Sequence, residues 1–188
     1  MKSIKVEVTG ITPVLIDAFT KEREVTLENH KKIKSAGIKN SLSPEEQAEE
    51  GAYRLNGKKS NLYLPFSYFY GAMINASMGM KANGKALKSI IAGCVRVEPE
   101  KIDLKTNKYE IDSRTIVNRP AGNVRVLKHR PKIFPWKVNF NIIYNEDMLT
   151  PAAIKELLTQ AGLRIGIGSY RPTKSGPFGT FTISKWEE

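Results

Sequence analysis

The sequence predicts an α+β fold, and three observations predict it. Ile4, Val6 and Val8 alternate with Lys5, Glu7 and Thr9, the period-two signature of a half-buried strand. From Trp136 to Tyr144 every even position is apolar or aromatic: Trp136, Val138, Phe140, Ile142 and Tyr144. Two helical stripes interrupt these strands. Phe66, Phe69, Tyr70, Met73, Ile74 and Ser77 form one, and Ile154, Leu157, Leu158 and Ala161 the other.

Each element follows in chain order. The strand at Ile4–Val8 stops at Gly10-Ile11-Thr12-Pro13. Thr20–Lys39 is polar and weakly periodic, and reads as a long exposed loop or irregular helix. Ser43-Pro44-Glu45-Glu46 is a helix start, with serine at the N-cap, proline next and acids in the first turn. Asn56-Gly57 is a hairpin turn pair, with Asn61–Leu64 as the returning strand. The first helix, Phe66–Ser77, is closed by Gly79, and Tyr68 falls off its stripe towards solvent. Met80–Lys88 is small, glycine-bearing and basic, and Val95–Val97 is a short strand. Tyr109–Val117 is extended, whereas Asn118–Pro131 reads as irregular, broken by Pro120, Gly122 and Pro131. Thr150-Pro151 opens the second helix, and Gly162 takes the place of its C′ glycine. Phe178–Trp186 is the last strand. The main elements then read β-α-β-β-α-β, the ferredoxin-like (RRM-like) order, with both helices on one face of an antiparallel sheet. One domain over residues 1–188 is expected, with insertions at about 18–60 and 100–134.

Charge is the informative part of the composition. Thirty Lys+Arg face nineteen Asp+Glu in 188 residues, a net charge of +11 and a pI near 9.7, which points to a polyanionic partner. Cys94 is the one cysteine, which excludes an internal disulfide and a cysteine-built zinc site and suits a reducing cytoplasm. The first ten residues lack the apolar run of a signal peptide, and no stretch reaches the length of a membrane span, so no membrane association is expected.

Two segments concentrate the basic residues. Gly166–Gly179 carries glycines at both rims (Gly166, Gly168, Gly176 and Gly179) with Tyr170, Arg171 and Lys174 between them. Glycines permit positive φ and close approach of backbone to a ligand, successive N–H groups can hold an anion, cations add phosphate contacts, and Tyr170 offers a stacking face. Asp112–Lys137 holds Arg114, Arg119, Arg125, Lys128, Arg130, Lys132 and Lys137 against the single acid Asp112. A ribbon or loop so charged would track a phosphate backbone.

The catalytic inventory is thin. His30 and His129 are far apart and in no metal spacing, and there is no phosphate-binding loop, nucleophile elbow or acidic cluster suited to two metal ions. No cofactor or metal is expected. A metal-independent ribonuclease needs only a base near a ribose hydroxyl, and His30 is the one candidate for it.

The segment GIGSYRPTKSGPFG, residues 166–179, resembles the glycine-rich loop of the RAMP superfamily of CRISPR-associated proteins. Pro177 and the long spacer between the glycine pairs depart from that pattern. Gly10-Ile11-Thr12-Pro13-Val14 resembles the superfamily's first strand and turn, and Leu64-Pro65 its strand-to-helix junction. The chain end is also similar to short phage and prophage proteins. The RAMP resemblance implies a ferredoxin-like fold and one of two activities: a backbone subunit that polymerises along guide RNA, or an endoribonuclease that cuts precursor RNA. The expectation is non-catalytic binding of single-stranded nucleic acid, RNA ahead of DNA, by a chain able to oligomerise along the strand or join CRISPR subunits. The alternatives are the endoribonuclease and a phage structural or interaction protein.

Overall fold

In the computed structural model the structure describes residues 1–18, 42–82, 84–118 and 124–188. The predicted loop at Thr20–Lys39 lies outside the described residues, as do His30 and Arg119.

The chain opens with β1 (Lys2–Gly10) and the two-residue β2 (Val14–Leu15). Then come α1 (Pro44–Glu50), β3 (Tyr63–Pro65), α2 (Phe66–Ala76), the small hairpin of β4 (Lys81–Ala82) and β5 (Lys85–Ala86), and α3 (Leu87–Cys94). Next are β6 (Val95–Glu98), β7 (Lys101–Asp103), β8 (Glu110–Asn118), β9 (Val124–Ile133) and β10 (Lys137–Tyr144). α4 (Pro151–Gln160) and β11 (Phe181–Glu187) close the fold.

The main sheet has the strand order β11-β1-β10-β6, with every neighbouring pair antiparallel. This is the ferredoxin-like arrangement, in which the first and third strands of the β-α-β-β-α-β order lie at the centre. Register follows the apolar alternation. Ile4 pairs with Ile142, Val6 with Phe140 and Val8 with Val138, so one face of both central strands is buried together. α2 and α4 cover that face. Phe69, Ala72 and Met73 are buried from the first, and Ile154, Leu157 and Leu158 from the second. The Phe69 ring sits 4.5 Å from Phe140 and 5.5 Å from Phe181, which ties helix to sheet at its middle.

Capping matches the sequence at two helices. Ser43 and Glu46 form a reciprocal capping box on α1, and the Thr150 hydroxyl accepts from the Ala153 N–H at the start of α4. Gly57 adopts the expected turn conformation, and Arg54 bridges Leu62 across it.

Three expectations need correction. Gly162 does not end the second helix. The chain continues through a π-helical turn, Ala161–Ile165, and Gly166 terminates it at φ +70°. Gly162 is needed for a different reason: a Cβ there would lie 2.3 Å from the Phe181 carbonyl oxygen, so it lets the helix touch β11. Met80–Lys88, small and basic as its composition says, holds the β4–β5 hairpin and the start of α3, whose Ile90 and Ile91 reach the core. Tyr68 does not face open solvent. Its ring packs edge-on against Tyr53 at 6.1 Å, and burial pushes its phenol well above the ordinary value. Residues 124–131 of the segment expected to be irregular belong to β9, paired with β8 from Glu110↔Lys132 to Asn118↔Val124.

That hairpin is the chief addition to the ferredoxin-like frame. Val14 and Leu15 pair with Ile133 and Lys132, so β2, β9 and β8 make a second sheet that grows out of the first. Trp136 anchors the junction. Its indole N–H donates to the Thr12 carbonyl at 2.8 Å, and its ring lies directly over Gly10, where a Cβ would come within 2.1 Å of it. Beside the root of the hairpin, the Glu49 carboxylate takes hydrogen bonds from Arg54 Nε at 2.6 Å and Tyr109 Oη at 2.9 Å.

Candidate nucleic-acid interface

The glycine-rich segment leaves the π turn and runs back under the root of the hairpin. Its glycines serve close packing of the chain on itself. Gly168 and Gly179 both have φ +74°, and a Cβ on either would overlap a carbonyl oxygen, of Leu15 at 2.4 Å and Ile167 at 1.9 Å. Gly176 would strike Tyr170 O at 1.9 Å and Gly166 would strike Pro172 at 2.7 Å. The amides follow suit. Ile167 donates to Gly179 O, Ser169 to Leu15 O, Gly176 to Arg171 O, Phe178 to Tyr170 O and Gly179 to Pro13 O. These N–H groups are therefore spent inside the fold and do not make an open anion cradle. The glycines hold the loop's shape, and its side chains carry what contact it offers.

Arg171 braces the same loop: its Nη1 donates to Gly168 O at 2.8 Å and its Nε to Thr173 Oγ1 at 3.1 Å. Lys174 projects outward, and Tyr170 is 39% exposed. Among the described residues neither Lys174 nor Arg125, exposed near the hairpin's far end, makes an ion pair.

The two basic segments meet at Arg114. Its guanidinium carbon lies 4.7 Å from the Phe178 ring centre and 5.5 Å from that of Tyr170, while Asp112 accepts from its Nε at 2.8 Å. Arg114, Lys128 and Arg130 alternate onto one face of the hairpin because the register pairs Arg114 with Lys128 and Asp112 with Arg130. The last two are partly neutralised at home. Lys128 bonds the Asp17 carboxylate, and Arg130, largely buried, approaches the same carboxylate at 3.3 Å. Lys132 pairs with Glu110 at 2.6 Å. The sequence candidates thus divide. Arg130, Lys128 and Lys132 tie the hairpin down, Arg114 joins hairpin to loop, and Arg125, Lys174 and the Tyr170 ring face outward.

His129 Nδ1 lies 2.7 Å from Ser113 Oγ on the opposite hairpin face. Among the described residues no group of three or more His, Cys, Asp or Glu side chains could hold a metal ion. No helix among them is long and apolar enough to cross a membrane.

Two features were not among the sequence candidates. One is the free face of the main sheet, which is polar. Glu7 sits there between Ser184 Oγ at 2.9 Å and Lys137 Nζ at 3.4 Å, and these partners, the hydroxyl first, hold its carboxyl below the usual value. The other is Phe134, 53% exposed on the turn between β9 and β10. Its one signal was an aromatic before a proline at the head of the clearest strand.

The fold and the basic seam define a ferredoxin-like α+β protein with an appended cationic hairpin. No known family model matches the chain, and no curated protein matches it. Among solved structures, the chain is similar to a chain of a Type III-B Cmr-beta complex determined by cryo-electron microscopy bound to cognate target RNA. The TM-score is 0.58 at 18% sequence identity, over 98% of this chain. This chain spans 59% of the length of that one, and the likeness is one of fold.

Proposed function

We propose that the chain binds single-stranded nucleic acid without cutting it, RNA ahead of DNA, in the manner of a subunit of a CRISPR effector complex. The observation that carries this reading is Arg114 stacked between hairpin and loop, because it makes one seam of two basic segments. A strand laid along the seam meets the guanidinium of Arg114, the ring of Tyr170 and then Lys174. Cations to balance phosphates and a ring on which a base can stack are the components of sequence-tolerant single-strand binding. The net charge of +11 supports a polyanionic ligand, and the likeness to a chain from an RNA-bound complex supports RNA as that ligand. Partner subunits of such a complex, or further copies of this chain along the strand, would extend the same seam.

Fluorescence anisotropy with labelled 20-nucleotide oligo(U) and oligo(dT) tests the proposal. Binding to both at about 50 mM salt is expected, tighter to RNA, with log affinity falling linearly against log salt. No binding to either strand at that salt overturns it, and shortening of the RNA in chelator overturns the non-cutting part.

A further inference from the structure

We infer that the groove beside the β9–β10 turn is a second nucleotide site, with Phe134 as its base-stacking platform. The inference rests on the single-strand reading above and extends it to a face of the molecule outside the hairpin-and-loop seam.

The groove encloses about 530 Å³ between the β7–β8 connection, the β9–β10 turn and the head of β10. Lys105, Lys108, Lys132 and Lys137 line it, against the single carboxylate of Glu110. Phe134 stands at its wall and is 53% exposed, while its flanking neighbours Ile133 and Trp136 are each 3% exposed. The turn is therefore pinned from both sides while the phenylalanine is left in water. An exposed aromatic ring on a fixed support, ringed by cations, suits a ligand that is flat at one end and anionic at the other.

Lys105 and Lys108 are the lysines most available to such a ligand. Lys108 makes no ion pair among the described residues. Lys105 is 79% exposed and reaches Asp103 only at 3.6 Å, and Lys137, 54% exposed, reaches Glu7 at 3.4 Å. The Lys105 pair is weak, so exchanging its carboxylate for a phosphate costs little, whereas Lys137 stays with the buried Glu7.

The groove also has a continuation. Asn139 lines both it and a smaller hollow on the free face of the sheet, where Asn141, Lys5 and Lys185 follow beside Glu7 and Glu187. Neither asparagine makes a side-chain hydrogen bond among the described residues, so both amides are free to meet base edges. A strand crossing here would stack on Phe134, place phosphates on Lys105 and Lys108, and pass over the asparagines.

The test uses the full chain and fluorescein-labelled oligo(U) of 12 nucleotides. Phe134→Ala should weaken binding about ten-fold and leave the salt slope unchanged, because stacking is not a counterion effect. Lys105→Ala with Lys108→Ala should lower the slope of log affinity against log salt by about 1.4, at ~0.7 per phosphate contact on a single strand. An oligonucleotide carrying 5-iodouridine should photocrosslink to Phe134, identified by mass spectrometry. All three side chains are exposed, and thermal melting confirms that the variants fold. If the parent chain binds RNA, Lys174→Ala weakens it, and the groove variants bind like the parent without a crosslink at Phe134, the groove inference falls and the seam stands. If poly-glutamate displaces the RNA and Phe134→Ala changes nothing, the groove is a site for acidic protein and the inference is overturned. A parent chain that binds no RNA removes both.

Discussion

Alanine in place of Gly179 separates two costs that glycine loops usually combine. Gly179 has φ +74°, and a Cβ there would sit 1.9 Å from the Ile167 carbonyl oxygen. The left-handed backbone alone costs an alanine about 1–2 kcal/mol. The overlap adds more. Ile167 must shift, straining its N–H bond to Gly179 O at 2.9 Å and the Gly179 N–H bond to Pro13 O at 2.8 Å. Each weakened bond costs about 0.5–1.5 kcal/mol, so the total is roughly 2–5 kcal/mol. Gly57 is the matched control: its φ is +75°, and nothing lies within 4 Å of its Cβ position. Gly57→Ala should lose only the backbone cost, about 1–2 kcal/mol. Urea unfolding followed by circular dichroism measures both, and Gly179→Ala should exceed Gly57→Ala by about 1–3 kcal/mol. On heating, the extra loss corresponds to about 2–4 °C per kcal/mol for a chain of this size. Equal losses at the two positions would refute the view that these glycines exist for close packing of the loop on β2 and on itself.

Further outcomes can be checked on the same preparation. Arg54 foremost, then Tyr109, hold the Glu49 carboxyl below its ordinary value against the opposing effect of burial. Its stabilisation is present above the unfolded value of about 4.5 and is lost as pH falls through the lower folded value. Glu49→Gln should therefore cost about 1–3 kcal/mol near neutral pH, and its urea midpoint should converge on the parent's as pH falls through the lowered folded value. Lys174→Ala should reduce the salt slope of RNA binding by about 0.7 without changing the melting temperature. Arg114→Ala should weaken RNA binding and cost about 0.5–1 kcal/mol of stability through the lost ring contacts, with equilibrium unfolding as the measure. Ser43→Ala removes one half of a reciprocal cap and should lower stability by about 1 kcal/mol.

The central frame was legible because burial writes itself into alternation. Ile4, Val6 and Val8, and Val138, Phe140 and Ile142, are spaced by two because one face of each strand is sealed by helices. β9 was illegible for the converse reason. Its Arg125, Lys128, Arg130 and Lys132 report no buried face, because the strand is held by the ladder to β8. The exposed β-branched Val126 was the remaining trace. Gly162 misled because a glycine at the end of a helical stripe usually caps it, and only the position of Phe181 reveals a contact instead. The basic candidates were visible as types, but their division into paired and outward-facing cations depends on where Asp17 and Glu110 fold, which spacing does not record.

The indole of Trp136 rests on Gly10, and this has an evolutionary consequence. Any side chain at position 10 would collide with that ring, whereas a smaller residue at position 136 would leave a hollow and an unanswered carbonyl on Thr12. The two sites, 126 residues apart, are locked as a pair. Lineages that keep the tryptophan must keep the glycine, and a change at one is viable only with a compensating change at the other. The hinge between sheet and hairpin should therefore drift slowly and in step, while the hairpin it carries is free to vary its charges.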